Sequence, residues 1–183
     1  MSLFEHFPKS LLKFICPVRT QSGELPASGA VVSFRKKTLI ITANHAINKT
    51  TGRATIQFPS GDIIQGVAFT QPDPKIDFTF ADITNIQIPP ITWKRSKLFR
   101  VLQGKVTIFS RETLDTGVPI RLRPKRSTMN GMWFHARRPL YYGESGAAVI
   151  SRNNRVLGVV YGTHVEKGDQ VYIDFLPDLF RKK

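Results

Sequence analysis

The chain has 183 residues (20.7 kDa), 41% hydrophobic and 22% charged, which fits one compact unit or two small ones and excludes a disordered chain. Lysine and arginine (27) outnumber aspartate and glutamate (13), giving a net charge of +14 and an isoelectric point near 10.3. One cysteine, Cys16, excludes an intramolecular disulfide and every paired-cysteine metal site; no apolar run approaches the roughly 18 residues of a membrane-spanning helix.

Helical periodicity is confined to the N-terminus, where Leu3, Phe4, Phe7, Leu11, Leu12 and Ile15 would share a face of one short helix interrupted by Pro8. The rest reads as short strands: 30–34, 38–42, 54–58, 66–70, 78–83, 105–109, 120–122, 147–150, 156–161 and 170–175. Ser-Gly, Pro-Ser-Gly-Asp, Pro-Asp-Pro and Asn-Asn turns separate them. Strands at this spacing predict an all-β protein, a barrel or sandwich rather than a parallel α/β sheet. Pro89 and Pro90 cannot both join a central strand, which places a linker at 89–97 between a β unit over 1–88 and another over 98–183. The N-terminus carries no signal-peptide pattern, so a soluble protein in a reducing compartment is expected.

The basic charge is uneven. Residues 94–126 hold ten Lys/Arg against Glu112 and Asp115, and Arg137 and Arg138 follow. Such a run is a solvated face or a footprint for RNA, an acidic peptide or an anionic surface over 94–138. No base-reading motif accompanies it, so RNA binding there would be phosphate contact and strongly salt-dependent.

Three segments carry chemistry together. An apolar run, Leu39-Ile-Ile-Thr-Ala-Asn-His45, ends at a histidine; Asp77 opens the alternating Phe78-Thr-Phe-Ala; Ser145 sits in Tyr142-Gly143-Glu144-Ser145-Gly146 ahead of an apolar strand. Serine is a poor nucleophile until a base takes its proton, and that base needs an orienting carboxylate. Asp73, in Pro-Asp-Pro, reads as a turn former and Asp82 lies inside a strand, which leaves Asp77 as the acid. An α/β-hydrolase elbow is excluded: position 147 is alanine, and no acid lies between Ser145 and the one later histidine, His164. Cys16 reads as a small buried hydrophobe, and His6 and His135 as surface or linker residues.

The order His45, Asp77, Ser145 with these flanks resembles the chymotrypsin-like serine proteases, and the resemblance extends over nearly the whole chain through Ser28-Gly29-Ala-Val-Val and Gly158-Val-Val-Tyr-Gly162. It implies two antiparallel β-barrels with the active site in the cleft between them. It also implies Ser145 as nucleophile, His45 as general base and then acid, Asp77 as its orienting partner, and the N–H groups of Gly143 and Ser145 as oxyanion hole. No metal or organic cofactor is implied. The short, cysteine-poor chain is similar to proteases of positive-strand RNA viruses (astrovirus, arterivirus and sobemovirus), with bacterial intracellular trypsin-fold proteases as the alternative branch; the viral resemblance implies a viral polyprotein as substrate and the host-cell cytoplasm, free or membrane-associated within a polyprotein, as setting. By the same resemblance Leu140, Val160, Tyr161, Gly162, Thr163 and His164 are the substrate-pocket candidates. The histidine that relatives place in Gly-x-His is replaced by Val160. Leu140 and Val160 favour an apolar side chain at the cleaved position, whereas His164, Arg137, Arg138 and Lys167 favour Glu or Gln, the preferred reading.

Overall fold

A computed structural model of the protein describes residues 15–20, 26–47, 50–57, 63–85, 106–111, 117–136, 139–140, 143–150, 156–164 and 166–181. Six strands form one antiparallel sheet: β1 (Ile15–Thr20), β2 (Pro26–Phe34), β3 (Lys37–Ala43), β4 (Arg53–Gln57), β5 (Ile63–Ala68) and β6 (Phe78–Asp82), in the order β5-β4-β1-β2-β3-β6. Six more close a barrel: β7 (Val106–Arg111), β8 (Gly117–Ser127), β9 (Gly131–Ala136), β10 (Ala148–Ile150), β11 (Val156–Thr163) and β12 (Gln170–Phe175), in the order β10-β11-β12-β9-β8-β7. The all-β architecture is the expected one. Its first sheet is not closed by a regular ladder: among the described residues its edges meet at the bridge between Thr70 and Phe80 and at the Thr79 hydroxyl, which donates to the Thr70 carbonyl at 2.9 Å. The 89–97 linker and residues 3–14 of the expected helix lie outside the described residues; Ile15, expected at its end, opens β1 instead.

Prolines explain where the strands differ from expectation. β1 contains Pro17, which pairs only toward β2, opposite Ser28, while pairing with β4 covers Val18–Thr20. β8 is longer than the expected 120–122 because it changes partner: Gly117–Leu122 pair with β7 and Leu122–Ser127 with β9. Pro119 and Pro124 each sit where one edge carries no ladder, so the missing N–H costs no bond.

Three apolar clusters hold the two halves. Val31, Ile40, Ala54, Ile56 and Ile83 fill the first sheet's concave side; Leu122, Phe134, Val149, Leu157, Val171 and Ile173 fill the barrel. The third lies between them: Val32, Leu39, Ile41 and Phe78 meet Ala148, Val156 and Val159. β3 is therefore apolar on both faces because both are covered, which is why its sequence is a continuous run rather than an alternation. A short helix, α1 (Asp178–Arg181), returns over the first sheet and wedges Phe180 among Phe34, Phe78 and Phe80, with ring centroids 4.9–5.3 Å away.

Candidate active site

The end of β3 turns at once into a 3-10 turn, Asn44–Ala46, which carries His45. β3 and β6 are paired with Ala43 opposite Phe78, so the residue before β6, Asp77, arrives beside the turn. The backbone fixes the approach: Asn44 N–H donates to the Asp77 carbonyl at 3.2 Å. Both carboxylate oxygens then engage His45. Oδ1 accepts the His45 backbone N–H at 2.7 Å, and Oδ2 is in short contact with Nδ1 of the ring. Asp77 is largely covered (side chain 14% exposed) while the His45 ring stays open at 42%.

The two rival acids are elsewhere. Asp73 caps its own turn, accepting the Lys75 N–H at 2.9 Å, and Asp82 is an exposed partner of Lys37 and Thr84. His135 is exposed on β9 beside Asp169. Cys16 pairs through its backbone with Gly29 of β2.

Ser145 comes from the second barrel, in a turn that only glycine permits. Gly143 has φ +96° and Gly146 φ +81°, both in the left-handed region. The turn is docked on the first sheet. Ser28 N–H donates to the Ser145 carbonyl, and Ser28 Oγ to the Gly143 carbonyl, each at 2.8 Å. Thr42 Oγ1 donates to the Ser28 carbonyl at 2.8 Å. A Cβ on Gly146 would lie 2.3 Å from the Ser28 carbonyl oxygen and from Thr42 Oγ1, and 2.8 Å from Ala43 N. The serine turn is thus seated against the end of β3, just ahead of the histidine turn, where a side chain on Gly146 would have no room. Ser145 Oγ makes no hydrogen bond to His45 in this arrangement; in unliganded sites that bond is commonly long and tightens with substrate. The N–H groups of Gly143 and Ser145 meet no acceptor among the described residues.

The pocket candidates divide. Val160 is fully buried in the barrel core, and only its backbone reaches the turn, accepting Gly146 N–H at 2.9 Å and donating to Ala147 at 3.0 Å. Leu140 packs against the same core. Tyr161 is half exposed and presents its ring edge-on to His45, centroids 5.8 Å apart. Gly162 has open space where a side chain would be, and Thr163 is exposed. His164 is held by its own loop: its N–H donates to Gln170, its Nδ1 accepts Glu166 N–H, and its ring lies against Trp133. Tyr161, Tyr172, Trp133 and His164 form a row of rings leading away from His45, with successive centroids 5.1–6.0 Å apart. At the near end of the row a cleft of about 310 Å³ is lined by Gln71, Lys75, Asp77, Tyr161, Tyr172 and Asp174, among others.

Sequence reasoning missed three residues of the site. Ser28 and Thr42 are fully buried polar side chains in apolar strands, and they carry the docking of the serine turn. The third, Asp174 on β12, is 5% exposed and accepts the Asp77 N–H at 3.3 Å. Burial and then the neighbouring Asp77 charge push its carboxyl up to about 6, against the opposing pull of the Asp77 N–H and of His45. Its signal was an acid in a strand, Gln170-Val-Tyr-Ile-Asp174-Phe, on the face that reads as solvent-exposed until the first sheet covers it. Among the described residues no group of three His, Cys, Asp or Glu is placed to hold a metal ion, and no helix is long and apolar enough to cross a membrane.

The fold has known counterparts. A human pathogenic astrovirus serine protease superposes with a TM-score of 0.72 at 19% identity, covering 94% of each chain. The active form of the Rv3671c protease of M. tuberculosis gives 0.66 at 15% identity, over 91% of this chain and 77% of that one. The NSP4 proteinase of equine arteritis virus gives 0.61 at 17% identity, over 89% and 72%. No curated protein sequence matches significantly. Residues 27–159, which run from the strand that carries Ser28 to the strand behind Ser145, match the trypsin-like peptidase domain, and the chain therefore belongs to the trypsin-like peptidases, as a serine endopeptidase of chymotrypsin-like fold.

Proposed function

We propose that Ser145, His45 and Asp77 form the catalytic triad and that the chain cuts a viral polyprotein, in cis and in trans, in the host-cell cytoplasm. The observation that carries the triad is the grip of both Asp77 oxygens on His45. With Nδ1–H directed to the carboxylate, Nε2 is left as the acceptor for the Ser145 proton. Ser145 Oγ then attacks the scissile carbonyl, and the oxyanion takes hydrogen bonds from the N–H groups of Gly143 and Ser145, worth roughly 3–4 kcal/mol per donor. His45 returns the proton to the leaving amine, and water releases the acyl group by the same steps in reverse. The viral setting is supported by the likeness to the astrovirus and arterivirus enzymes over most of their length. Cleavage after Glu or Gln is supported by the basic set His164, Arg137, Arg138 and Lys167.

A fluorophosphonate probe tests the mechanism. Wild type is expected to label, and Ser145→Ala and His45→Ala are not. Labelling of Ser145→Ala, or of no folded form, would overturn the triad. A second property, RNA binding, is favoured by Arg123, Lys125 and Arg126, all exposed along β8. Binding of RNA by Ser145→Ala that weakens steeply with salt would support it, and no binding at low salt would exclude it.

A further inference from the structure

Asp174 is a costly residue where it stands. It projects from the outer face of β12 and is buried because the first sheet's 74–77 turn covers it. Among the described residues its carboxylate accepts one hydrogen bond, the long one from Asp77 N–H. A buried carboxylate with so little support, beside a second carboxylate, opposes folding. Asparagine would accept the same bond without the charge.

The charges that face it are few. The 74–77 turn brings Asp77 and Lys75, the 3-10 turn brings His45, and Tyr161 of β11 and Tyr172 of β12 share its cleft. Its strand neighbours opposite, Val159 of β11 and Gly131 of β9, bring none. The partner gained from a negative charge here is the His45 ring in its cationic form.

We propose that Asp174 is a positioning residue of the hydrolytic site: its carboxylate anchors the Asp77 backbone and sets a second buried negative charge behind the imidazolium that His45 becomes when it takes the Ser145 proton. The inference rests on the triad reading. No bond forms or breaks at Asp174; the proton moves from Ser145 Oγ to His45 Nε2 and on to the leaving amine, and Asp174 acts through Asp77 and His45. Because its carboxyl is pushed up to about 6, the charge is present at neutral pH and disappears on mild acidification, so the acid side of the activity profile belongs to coupled groups.

The stability consequence has a definite sign. A carboxyl with a raised folded-state pKa adds most to stability below its ordinary value of 3.8, and that contribution is lost as pH rises through about 6. Asp174→Asn escapes that loss, so it should be more stable than wild type at pH 8, with the advantage shrinking as pH falls toward 4.

The test compares wild type with Asp174→Asn, each also carrying Ser145→Ala. NMR follows the His45 ring protons against pH, a readout that needs no turnover. The midpoint in Asp174→Asn is expected to fall below that of the Asp174 form, since a negative charge facing the imidazolium is lost. In the Ser145 forms the acid limb of kcat/KM should move the same way, with a plateau roughly threefold to tenfold lower. A merely structural role would lower the plateau and leave both midpoints in place, and that result overturns the proposal. Asp174→Ser is the second uncharged variant; failure of both to fold at pH 8 would make the charge structural and overturn the proposal too. A shifted His45 midpoint in a protein whose wild type neither labels nor hydrolyses would uphold the charge coupling and overturn the triad reading.

Discussion

The two polar corners that meet at the active site are built in opposite ways. His45 and Asp77 both belong to the first sheet, at the adjoining ends of paired strands, and the register of Ala43 with Phe78 sets their approach. Ser145 belongs to the other half, and its turn is seated on the first sheet by Ser28, by Thr42 behind it, and by the absent side chain of Gly146. The His45–Asp77 pair is thus a property of one sheet, whereas the seating of the Ser145 turn is a property of the interface. A substitution in the first corner should change chemistry and leave the serine turn seated. One in the second should change alignment and leave the histidine's tautomer alone.

The largest expected effect comes from Asp77→Asn. The amide keeps the shape but places an N–H₂ group where Oδ1 or Oδ2 accepts, which favours the wrong tautomer of His45. A loss of about 10⁴ in kcat is expected with the fold retained by circular dichroism. A loss below tenfold would mean that the pair within the sheet does not govern the chemistry. Ser28→Ala probes the other corner. It removes the Oγ–H donated to the Gly143 carbonyl but keeps the backbone bond to Ser145. A cost of about 1 kcal/mol in stability is expected, with kcat down roughly tenfold and KM unchanged if the N–H groups of Gly143 and Ser145 serve as the proposed oxyanion donors, because the change misplaces them and not the bound substrate. An altered pH midpoint in Ser28→Ala would blur the division between the corners.

The same division explains what the sequence made legible. His45, Asp77 and Ser145 each end or begin an apolar strand, and local pattern finds such junctions. The covered faces of β3 were visible as an unbroken apolar run. β1 and β9 escaped, the first because Pro17 breaks the strand pattern while needing only one paired edge. β9 has a readable alternation, Met132, Phe134 and Ala136 inward with Trp133 and His135 outward, which the flanking turn residues obscure; His135 lies on the surface, as one of its two readings had it, but within a strand. Ser28, Thr42 and Asp174 were not legible because their roles exist only where the halves touch. Nothing local distinguishes a buried strand serine that docks a neighbouring turn from one that faces water.

Asp82 sharpens the comparison from the side of the smallest effect. It lies five residues beyond Asp77, at the opposite end of β6, and its register opposite Leu39 carries it to the far end of β3 from His45. There the Thr84 hydroxyl and then Lys37 hold its carboxyl down at about 2. Such a group stabilises the fold above its ordinary value of 3.8, and the contribution is lost as pH falls through about 2. With side chains 61% and 39% exposed, the Lys37–Asp82 pair is screened by solvent, and its worth stays under about 1 kcal/mol. Asp82→Asn should therefore lower Tm at pH 7 by less than about 3 °C, a difference that fades toward pH 2, and leave kcat/KM unchanged. Should Asp82→Asn abolish hydrolysis while Asp77→Asn spares it, the acid has been assigned to the wrong end of the strand, and the register between β3 and β6 no longer accounts for the site.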